Sequence, residues 1–487
     1  MLERLREQGV NPPGLAADSR SLVAGEVFLA YPGERADGRD FIAQAVAAGA
    51  AGVVWERNGF EWPAGTVVPN VATSDVRSLA GWLAHEVYGR PSERLWTVGV
   101  TGTNGKTSTS QWIAQALSAH GVRTAVVGTL GLGFAGALAP NPNTTPDAVL
   151  LQRALAGFAD AGADAVSMEV SSIGLDQGRV NGVAFDVALF TNLSRDHLDY
   201  HGTMDAYGEA KVKLFTMPGL KHAVLNLDDA LGVRIAGRTA PGVERVGYSI
   251  ADGAGRRSGL ERWLEAKDIA FGGLGLSFRL ESSWGEAAIE APCVGRFNVA
   301  NLLGVIGVLL LSGTPLETIP RLARQLEPVA GRMQPVGGGA GEPLLVIDYA
   351  HSPDALDKVL GALGDVARAR GGQLVCVFGC GGDRDRGKRP LMGQAASRHA
   401  QRVVVTSDNP RSEDPQAIVD EILPGITVPY VAVVDRGDAI RAAVLAASAA
   451  DVIVIAGKGH EPYQEIAGEQ LPFSDVAEAR AALEARP

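Results

Sequence analysis

The chain has 487 residues, which is enough for about three domains of ordinary size. It carries 44 basic and 55 acidic residues, a formal charge of −11, and 46% hydrophobic residues. This composition excludes a disordered chain and argues against general binding of nucleic acid or of membrane surfaces. The three cysteines form no Cys-x-x-Cys pair, which excludes a disulfide framework and a four-cysteine zinc module. No apolar run approaches the ~20 residues that span a bilayer, and the N-terminus lacks the apolar segment of a signal peptide. We therefore expect a cytoplasmic protein without membrane insertion.

The predicted elements fall into three units, at residues 1–93, 94–329 and 330–487. In the first unit, strand patterns at Val27–Ala30 and Ala51–Trp55 precede a helix pattern at Val76–Tyr88. The second unit opens with a buried strand pattern at Leu95–Val100, after which helical stretches alternate with short apolar runs. This alternation predicts βαβ units and a parallel sheet, with strands at Ala165–Val170, Val187–Phe190 and Ala223–Asn226.

The end of the second unit has a different pattern. Residues 251–295 show a short polar and apolar alternation, which predicts an antiparallel insert, and Phe297–Leu311 predicts a buried helix. In the third unit helical stretches again separate apolar runs, which predicts a doubly wound α/β domain closed by a surface helix at Asp475–Arg486. Its predicted strands are Leu344–Ile347, Leu374–Phe378, Arg402–Thr406 and Asp451–Ile455.

A phosphate-binding loop follows the first strand of the second unit. Thr97–Ser108 reads T-V-G-V-T-G-T-N-G-K-T-S and precedes a helical pattern, which is the context of a Walker A loop. Val100 stands where the general pattern has its first glycine, so the loop is a variant. We expect Lys106 to reach the β- and γ-phosphates and Thr107 to contact Mg²⁺, with the helix N-terminus adding positive potential. The other predicted phosphate contacts are Gly102, Thr103, Asn104, Gly105 and Ser108.

Two further side chains follow strands of the same predicted sheet. Glu169 lies at the carboxyl end of one strand, and His197 lies in T-N-L-S-R-D-H-L-D-Y-H-G after the next. Ligands bind at the carboxyl ends of strands in open α/β sheets, and carboxylate and imidazole suit a divalent ion beside phosphates. Glu169 and His197 are therefore predicted metal ligands.

Several motifs, in the same order along essentially the whole chain, carry a family resemblance. T-G-T-N-G-K-T resembles the ATP loop of the Mur ligases and of the related folylpolyglutamate synthetases. The His197 segment, G-C-G-G-D-R-D-R-G-K-R-P, D-N-P-R and A-G-K-G-H-E extend the resemblance, and the chain is identified as a member of the Mur ligase family. This implies an α/β fold of three domains: an N-terminal domain that binds a UDP-sugar, a central ATP-binding domain with a parallel P-loop sheet, and a C-terminal doubly wound (Rossmann-like) domain that binds the incoming amino acid. We also expect a monomer.

The resemblance assigns catalytic roles to Lys106, Glu169, His197 and Lys211. In the family, the lysine at the position of Lys211, in D-A-Y-G-E-A-K-V-K-L-F, is carbamylated and helps to place a second Mg²⁺, so that the metal contacts are Thr107, Glu169, His197 and the Lys211 carbamate. Further ATP contacts are implied for Asn301, Arg332 and Asp348, with His351 near the last of these, when the C-terminal domain closes.

Substrate contacts are implied in the same way. For the UDP-muramoyl dipeptide they are Ser19, Asn143, Thr144, Thr145, Ser171, Gln177 and Arg179. Ile173 replaces a histidine of many members. The resemblance also implies that Glu34–Ala36 contacts the nucleotide-sugar, although Glu34 and Arg35 differ from the His-Gln of many members. For the amino acid the implied contacts are Arg384, Asp408, Asn409, Pro410, Arg411, Gly457 and Glu461.

The activity that the resemblance implies is ATP-dependent addition of meso-2,6-diaminopimelate to the D-Glu γ-carboxylate of UDP-N-acetylmuramoyl-L-Ala-D-Glu in peptidoglycan synthesis. Arg411, in the D-N-P-R of the diaminopimelate-adding members, would hold the distal carboxylate that lysine and ornithine lack. Three alternatives stay open at this point: the same ligase adding L-lysine or L-ornithine, a ligase of the folylpolyglutamate synthetase type, and a non-catalytic relative.

Overall fold

The structure is a computed structural model that describes residues 1–33, 36–141, 143–272, 274–339 and 341–486, without the side chain of Arg257. The helices are α1 (Leu2–Glu7), α2 (Ile42–Ala47), α3 (Val76–Val87), α4 (Lys106–Ala119), α5 (Ala148–Asp160), α6 (Ser172–Asp176), α7 (Leu198–His201), α8 (Met204–Val212), α9 (Ala230–Ala236), α10 (Ala254–Arg257), α11 (Arg296–Leu311), α12 (Ile319–Arg324), α13 (Pro353–Arg370), α14 (Lys388–His399), α15 (Pro415–Ile422), α16 (Arg436–Leu445) and α17 (Asp475–Glu484).

The strands are β1 (Leu15–Ala16), β2 (Val27–Ala30), β3 (Gly52–Glu56), β4 (Asn70–Thr73), β5 (Trp96–Thr101), β6 (Thr124–Gly128), β7 (Gly131–Phe134), β8 (Ala137–Ala139), β9 (Ala165–Glu169), β10 (Val187–Phe190), β11 (His222–Asn226), β12 (Glu244–Ser249), β13 (Arg262–Gly272), β14 (Gly275–Ser282), β15 (Gly285–Ala291), β16 (Gln334–Gly337), β17 (Leu344–Asp348), β18 (Leu374–Phe378), β19 (Arg402–Val405), β20 (Tyr430–Ala432), β21 (Val452–Ala456), β22 (Tyr463–Ile466) and β23 (Glu469–Pro472).

A small parallel sheet lies near the N-terminus. Its strand order is β1-β2-β3-β4, and each neighbouring pair is parallel. Every residue of β2 and β3 is buried, which is typical of parallel strands covered on both faces. On one face Leu29 and Val54 pack with Val76 and Ala80 of α3, while on the other Phe28 and Trp55 belong to a second apolar cluster.

The central sheet has eleven strands in the order β15-β14-β13-β12-β11-β10-β5-β9-β6-β7-β8. The run from β12 to β6 is parallel, and β5 lies between β10 and β9. The carboxyl ends of β5, β9 and β10 therefore meet at one edge, where ligands bind in such sheets. Helices α4 and α11 cover one face, with Ile113, Leu302 and Ile306 in the core beneath β5 and β10.

The C-terminal sheet has the order β16-β17-β21-β18-β19-β20, parallel apart from the antiparallel edge strand β16. Four neighbouring parallel strands, β17, β21, β18 and β19, end at the same side of this sheet. Helix α13 has Ser352 as its N-cap, Pro353 in its first turn and Gly371 after its end, which are the signals that begin and end a helix.

The structure confirms the predicted alternation and corrects two of its details. Strands β13, β14 and β15 are antiparallel to one another as predicted, but β13 pairs in parallel with β12, so the predicted insert is an extension of the central sheet. The predicted surface helix ends at Glu484, and its first residue, Asp475, is fully buried. The hairpins β7–β8 and β22–β23 were not predicted. The three larger sheets each fall within one of the three predicted units, and the two-stranded sheet β22–β23 lies in the third. The unit boundaries at residues 93 and 329 stay our proposal.

In the described part of the chain, no helix has the length and hydropathy needed to traverse a bilayer.

A buried ion pair ties α16 to α17 in the C-terminal unit. Arg436 and Asp475 have fully buried side chains with Nε···Oδ1 at 2.7 Å, and Arg436 also donates to the carbonyl oxygens of Ser407 and Ala456. We expect Asp475→Asn to lower the free energy of unfolding by about 3 kcal/mol, because it leaves a buried guanidinium uncompensated. Denaturant unfolding of the full chain measures the loss. Asp438→Asn, in an exposed pair with Arg441 on α16, is the control and should change stability by less than about 1 kcal/mol; equal losses would contradict the prediction.

Candidate active site

A cavity of about 530 Å³ lies between the central and C-terminal units. Seventeen of the residues predicted from the sequence line it: Thr103, Asn104, Gly105, Lys106, Thr107, Ser108, Asn143, Thr144, Glu169, Ser171, Arg179, His197, Lys211, Asn301, Arg332, Asp348 and Arg384. The structure therefore brings together the predicted phosphate loop, the predicted metal ligands and part of the predicted substrate site.

The phosphate loop connects β5 to α4 in the geometry that its glycines allow. Gly102 has φ +148°, and a Cβ there would lie 1.9 Å from Thr191 Oγ1. Gly105 has φ +87°, and a Cβ there would lie 2.5 Å from Asn301 Oδ1. Because α4 begins at Lys106, the backbone N–H groups of its first turn face the loop. The loop and the helix N-terminus together form an anion-binding site.

Lys106 and Lys211 approach the same backbone oxygen of this loop. Lys106 Nζ donates to Gly102 O at 2.9 Å and to Thr103 O at 2.8 Å, and Lys211 Nζ donates to Gly102 O at 3.0 Å. Burial lowers the pKa of Lys106, although the negative charges of Glu169 and Asp196 oppose the shift. Burial, and then the positive charge of Lys106, hold the pKa of Lys211 well below its ordinary value.

The burial of Lys211 disfavours the protonated form of its amine. Its side chain is 1% exposed, and Nζ lies 4.1 Å from the centroid of the Tyr207 ring. The neighbouring lysine of the same segment, Lys213, has a half-exposed side chain that pairs with Asp176 at 2.7 Å. The carbamate requires an unprotonated amine, so the surroundings of Lys211, and not those of Lys213, suit that chemistry.

Glu169 is held at the end of β9 by three donors. Thr107 Oγ1 donates to Oε2 at 2.9 Å, Thr129 N donates to Oε1 at 2.8 Å, and Thr129 Oγ1 donates to Oε2 at 3.2 Å. A Cβ on Gly128 would lie 2.3 Å from Glu169 Oε1, so this position requires glycine. The carboxylate, 1% exposed, is thus fixed beside the hydroxyl of Thr107.

His197 lies beside an aspartate that sequence reasoning missed. His197, at φ +51°, places Nε2 3.6 Å from Asp196 Oδ2, and His351 of the C-terminal unit places its Nε2 4.0 Å from the same oxygen. Burial lowers the pKa of His197. Burial would raise the pKa of Asp196, but the charges of His351 and His197 outweigh it and lower that pKa. The signal in the sequence was the direct adjacency of Asp196 to His197.

Residues of the C-terminal unit reach the phosphate loop. Arg332 Nη2 donates to Thr107 Oγ1 at 3.1 Å, and its guanidinium lies 4.3 Å from the centroid of the Tyr349 ring. Asn104 Nδ2 donates to Asp354 Oδ2 at 3.0 Å. The two units are therefore in contact across the predicted phosphate loop.

The two other predicted nucleotide contacts are buried in the cavity wall. Asp348 accepts from the backbone N–H groups of Met333 and Ala350 at 2.7 and 2.8 Å, and burial raises its pKa. Asp348 thus fixes the backbone next to Arg332. Asn301, on α11, donates from Nδ2 to Asn298 Oδ1 at 3.1 Å and lies against Gly105.

Some of the predicted muramoyl-peptide residues line the cavity, and others contact the residues that line it or lie elsewhere. Arg179 lines the cavity and donates to Thr145 O and to Gln177 Oε1, both at 2.8 Å. These two acceptors fix the orientation of its guanidinium. Thr145 is fully buried and joins Glu169 O to the backbone N–H of Ser171. Ser19 lies outside the cavity lining and donates to Gln44 Oε1 at 3.3 Å. Glu34 and Arg35 lie outside the described residues.

The predicted amino-acid residues form a second cluster at the ends of β19 and β21. Asn409 Nδ2 donates to Glu461 Oε2 at 2.8 Å, and a Cβ on Gly457 would lie 2.3 Å from Asp408 Oδ2. Arg411, which follows Pro410 and has φ +52°, donates from Nη1 to Gly382 O at 2.7 Å and pairs with Glu465 at 3.2 Å.

Within that second cluster Arg384 lines the cavity, whereas the other six predicted residues are not part of its lining. Tyr349 connects the two regions, because it lines the cavity and donates from its hydroxyl to Glu461 Oε1 at 3.4 Å. Sequence reasoning missed Tyr349, Thr129 and Asp354, since their roles depend on which loops meet.

Comparison with known proteins agrees with this geometry. Three family models match the chain: "Mur ligase family, catalytic domain" at residues 13–88, "Mur ligase middle domain" at residues 100–309, and "Mur ligase, glutamate ligase domain" at residues 331–459. The UDP-N-acetylmuramoyl-L-alanyl-D-glutamate–2,6-diaminopimelate ligase of Ralstonia nicotianae is 51% identical over 493 residues, covering 100% of this chain and 96% of that protein. The protein of the same name from Chromobacterium violaceum is 51% identical over 484 residues, covering 99% of this chain and 96% of its own.

A solved structure of a protein with that name is 40% identical, superposes with a TM-score of 0.68, and covers 97% of this chain and 95% of its own. Family models and relatives thus match the chain from its first unit to its last. The chain belongs to the Mur ligase family.

Proposed function

We propose that this chain is the ligase that joins meso-2,6-diaminopimelate, through an amide bond, to the D-Glu γ-carboxylate of UDP-N-acetylmuramoyl-L-Ala-D-Glu at the expense of ATP, in peptidoglycan synthesis in the cytoplasm. The observation that carries the chemistry is the meeting of Lys106, Glu169 and Lys211 around the phosphate loop with Arg332 from the other unit. The names of relatives about 50% identical over the whole chain support the choice of substrates. We expect a monomer.

The reaction consists of two substitutions. The γ-carboxylate attacks the γ-phosphorus of ATP, which gives an acyl phosphate and ADP, and the amine then attacks the acyl carbon and expels phosphate. Lys106 would exchange its two carbonyl partners for phosphate oxygens, and the backbone N–H groups of the loop and of the first turn of α4 would hold the nucleotide. Arg332 adds a positive charge only when the C-terminal unit is in contact with the loop, so that closure completes the site and excludes water from the acyl phosphate.

The donors present also fit Mg²⁺. Within the residues that the structure describes, no three His, Cys, Asp or Glu side chains lie close enough to enclose a metal ion by themselves. Mg²⁺ usually needs one or two protein carboxylates and takes water and phosphate oxygens for the rest. Thr107, Glu169, His197 and a carbamate on Lys211 would hold it, and when bound it neutralises charge on the transferred phosphoryl group.

The match at residues 13–88 argues against a ligase of the folylpolyglutamate synthetase type, because it extends the resemblance to the unit that we assign to the UDP-sugar. The presence of Lys106, Glu169, His197 and Lys211 in one site argues against a non-catalytic relative. Lysine or ornithine in place of diaminopimelate would leave Arg411 without the distal carboxylate that we assign to it.

The reaction itself is the first test. With ATP, Mg²⁺ and UDP-N-acetylmuramoyl-L-Ala-D-Glu, the protein should release phosphate in equal amount to the tripeptide formed when meso-diaminopimelate is supplied. L-Lysine and L-ornithine, offered in parallel at the same concentration, should support little turnover, and omission of the UDP-substrate should abolish it. Preference for lysine or ornithine would contradict the assignment of the amino acid, and absence of turnover with all three would contradict the ligase.

Lys211→Ala should lower kcat roughly 100-fold or more, because the site loses a group that places charge beside the phosphates. Acetate or propionate at high concentration should restore part of the activity, since a small carboxylate can occupy the position of the carbamate. Lys213→Ala is the matched control on the same segment; its exposed pair contributes little, so activity should stay within about twofold and should not respond to the added acid. Full activity of Lys211→Ala would contradict the carbamate.

Arg411→Gln should raise the KM for meso-diaminopimelate roughly 10- to 100-fold. This is the loss of affinity expected when a hydrogen bond to a charged group is removed. The KM for ATP should stay nearly constant, because the nucleotide contacts lie in the other cluster. Arg386→Gln, an exposed arginine of the neighbouring loop that pairs with Glu413, is the control. Equal increases in both KM values would mean that Arg411 only supports the Gly382 carbonyl.

A further inference from the structure

One buried lysine of the second cluster has no role in the reaction described so far. The sequence contains only eight lysines, and among the described residues the two with fully enclosed side chains are Lys211, at 1% exposed, and Lys458, at 0%. A fully buried ammonium group requires compensation by partners. The partners of Lys458 therefore indicate what it is for.

The turn after β21 directs Lys458 inward. Gly457 and Gly459 flank it with φ +114° and φ +56°. A Cβ on Gly457 would lie 2.3 Å from Asp408 Oδ2, and a Cβ on Gly459 would lie 2.8 Å from Gly331 O and 2.9 Å from Tyr349 Cβ. Both glycines are required by close neighbours as well as by their positive φ. The side chain between them consequently has a fixed starting direction.

Lys458 contacts two residues that we assign to the incoming amino acid. Its Nζ donates to Asn409 Oδ1 at 2.8 Å and to Glu461 Oε2 at 3.0 Å, and lies 5.6 Å from the centroid of the Tyr463 ring. Asn409 Oδ1 also accepts from the backbone N–H of Glu465 at 3.0 Å. Because two donors point at Oδ1, the amide must direct its NH₂ group to Glu461 Oε2, which it contacts at 2.8 Å.

The two carboxylate oxygens of Glu461 have different hydrogen-bond partners. Oε2 accepts from Lys458 and Asn409, whereas Oε1 has the Tyr349 hydroxyl at the long distance of 3.4 Å. Tyr349 lines the cavity, so Oε1 is the Glu461 oxygen that lies next to a residue of the cavity wall. A carboxylate fixed through one oxygen presents the other to an ammonium group without a change of rotamer.

We propose that Lys458 is a positioning residue for the incoming amino acid: it fixes the Glu461 carboxylate and the Asn409 amide so that Glu461 Oε1 accepts an ammonium group of the substrate. This inference rests on the proposed function, since it takes Glu461 as a contact of the amino acid. A purely structural pair is the competing explanation. Buried ion pairs are poor stabilisers compared with apolar side chains of equal volume, which favours a role beyond stability.

A double-mutant cycle on the full chain separates the two explanations. The variants are Lys458→Met, Glu461→Gln and the double variant, with KM measured for meso-diaminopimelate, ATP and the UDP-substrate. Lys458→Met and Glu461→Gln should each raise the amino-acid KM about tenfold or more, since small displacements of a binding group are costly. The other two KM values should change less than about threefold. The double variant should have nearly the same amino-acid KM as Glu461→Gln, because Lys458 acts through Glu461.

The double variant also controls for misfolding. It removes both charges of the buried pair, whereas Lys458→Met leaves the Glu461 carboxylate without its cation. Lys221→Met, whose exposed ammonium pairs with Asp186 at 2.7 Å, is the control and should match the parent. Two results would overturn the role of Lys458 while the parent enzyme remains active. One is that the effects of the two single changes on the amino-acid KM multiply in the double variant. The other is an equal increase in all three KM values. A parent protein that turns over no amino acid would overturn the proposed function and this inference together.

Discussion

The site depends on the sharing of one carbonyl oxygen by two lysines. Lys106 and Lys211 both donate to Gly102 O, at 2.9 and 3.0 Å, in surroundings that bury them. Two ammonium groups so close repel each other where the effective dielectric constant is low, which favours the loss of one proton or the entry of an anion. Burial and the charge of Lys106 hold down the pKa of Lys211. An amine under that constraint is suited to carbamylation, and the vicinity is suited to the phosphates of a nucleotide.

The site is also divided between two units of the chain. The phosphate loop and Glu169 belong to the central sheet, but Arg332 and Asp354 extend the site from the C-terminal unit through Thr107 and Asn104. Asp196 Oδ2 lies 3.6 Å from Nε2 of His197 and 4.0 Å from Nε2 of His351, at a point where the two units approach each other. A site divided in this way is complete only when the units touch, which couples phosphoryl transfer to the exclusion of water.

The regular part of the molecule was predictable from the sequence because its signals are local. The strands Val27–Ala30, Val187–Phe190 and Leu374–Phe378 have the predicted bounds, since buried parallel strands appear as short apolar runs between helical stretches. The pairing of β13 with β12 was not predictable, because strand direction depends on partners distant in the chain. For the same reason Tyr349, Thr129 and Lys458 were missed as site residues: each acquires its role from a loop that only the folded sheet brings near. The role of Ser19 in UDP-sugar binding stays a prediction.

The second cluster shows how selectivity can arise in a site whose charges are already satisfied. Arg411 donates to Gly382 O and pairs with Glu465, and Lys458 pairs with Glu461. In the role that we propose for Arg411, a substrate carboxylate would compete with these internal partners, so the affinity gained would be a difference between two sets of charged hydrogen bonds. An amino acid without a distal carboxylate leaves the internal pairs intact and gains nothing from Arg411. Discrimination between diaminopimelate and an amino acid without the distal carboxylate then follows from the affinity that this carboxylate adds, and not from a penalty on the smaller substrate. With either substrate, Lys458 keeps Glu461, the proposed acceptor for the ammonium group, in one orientation.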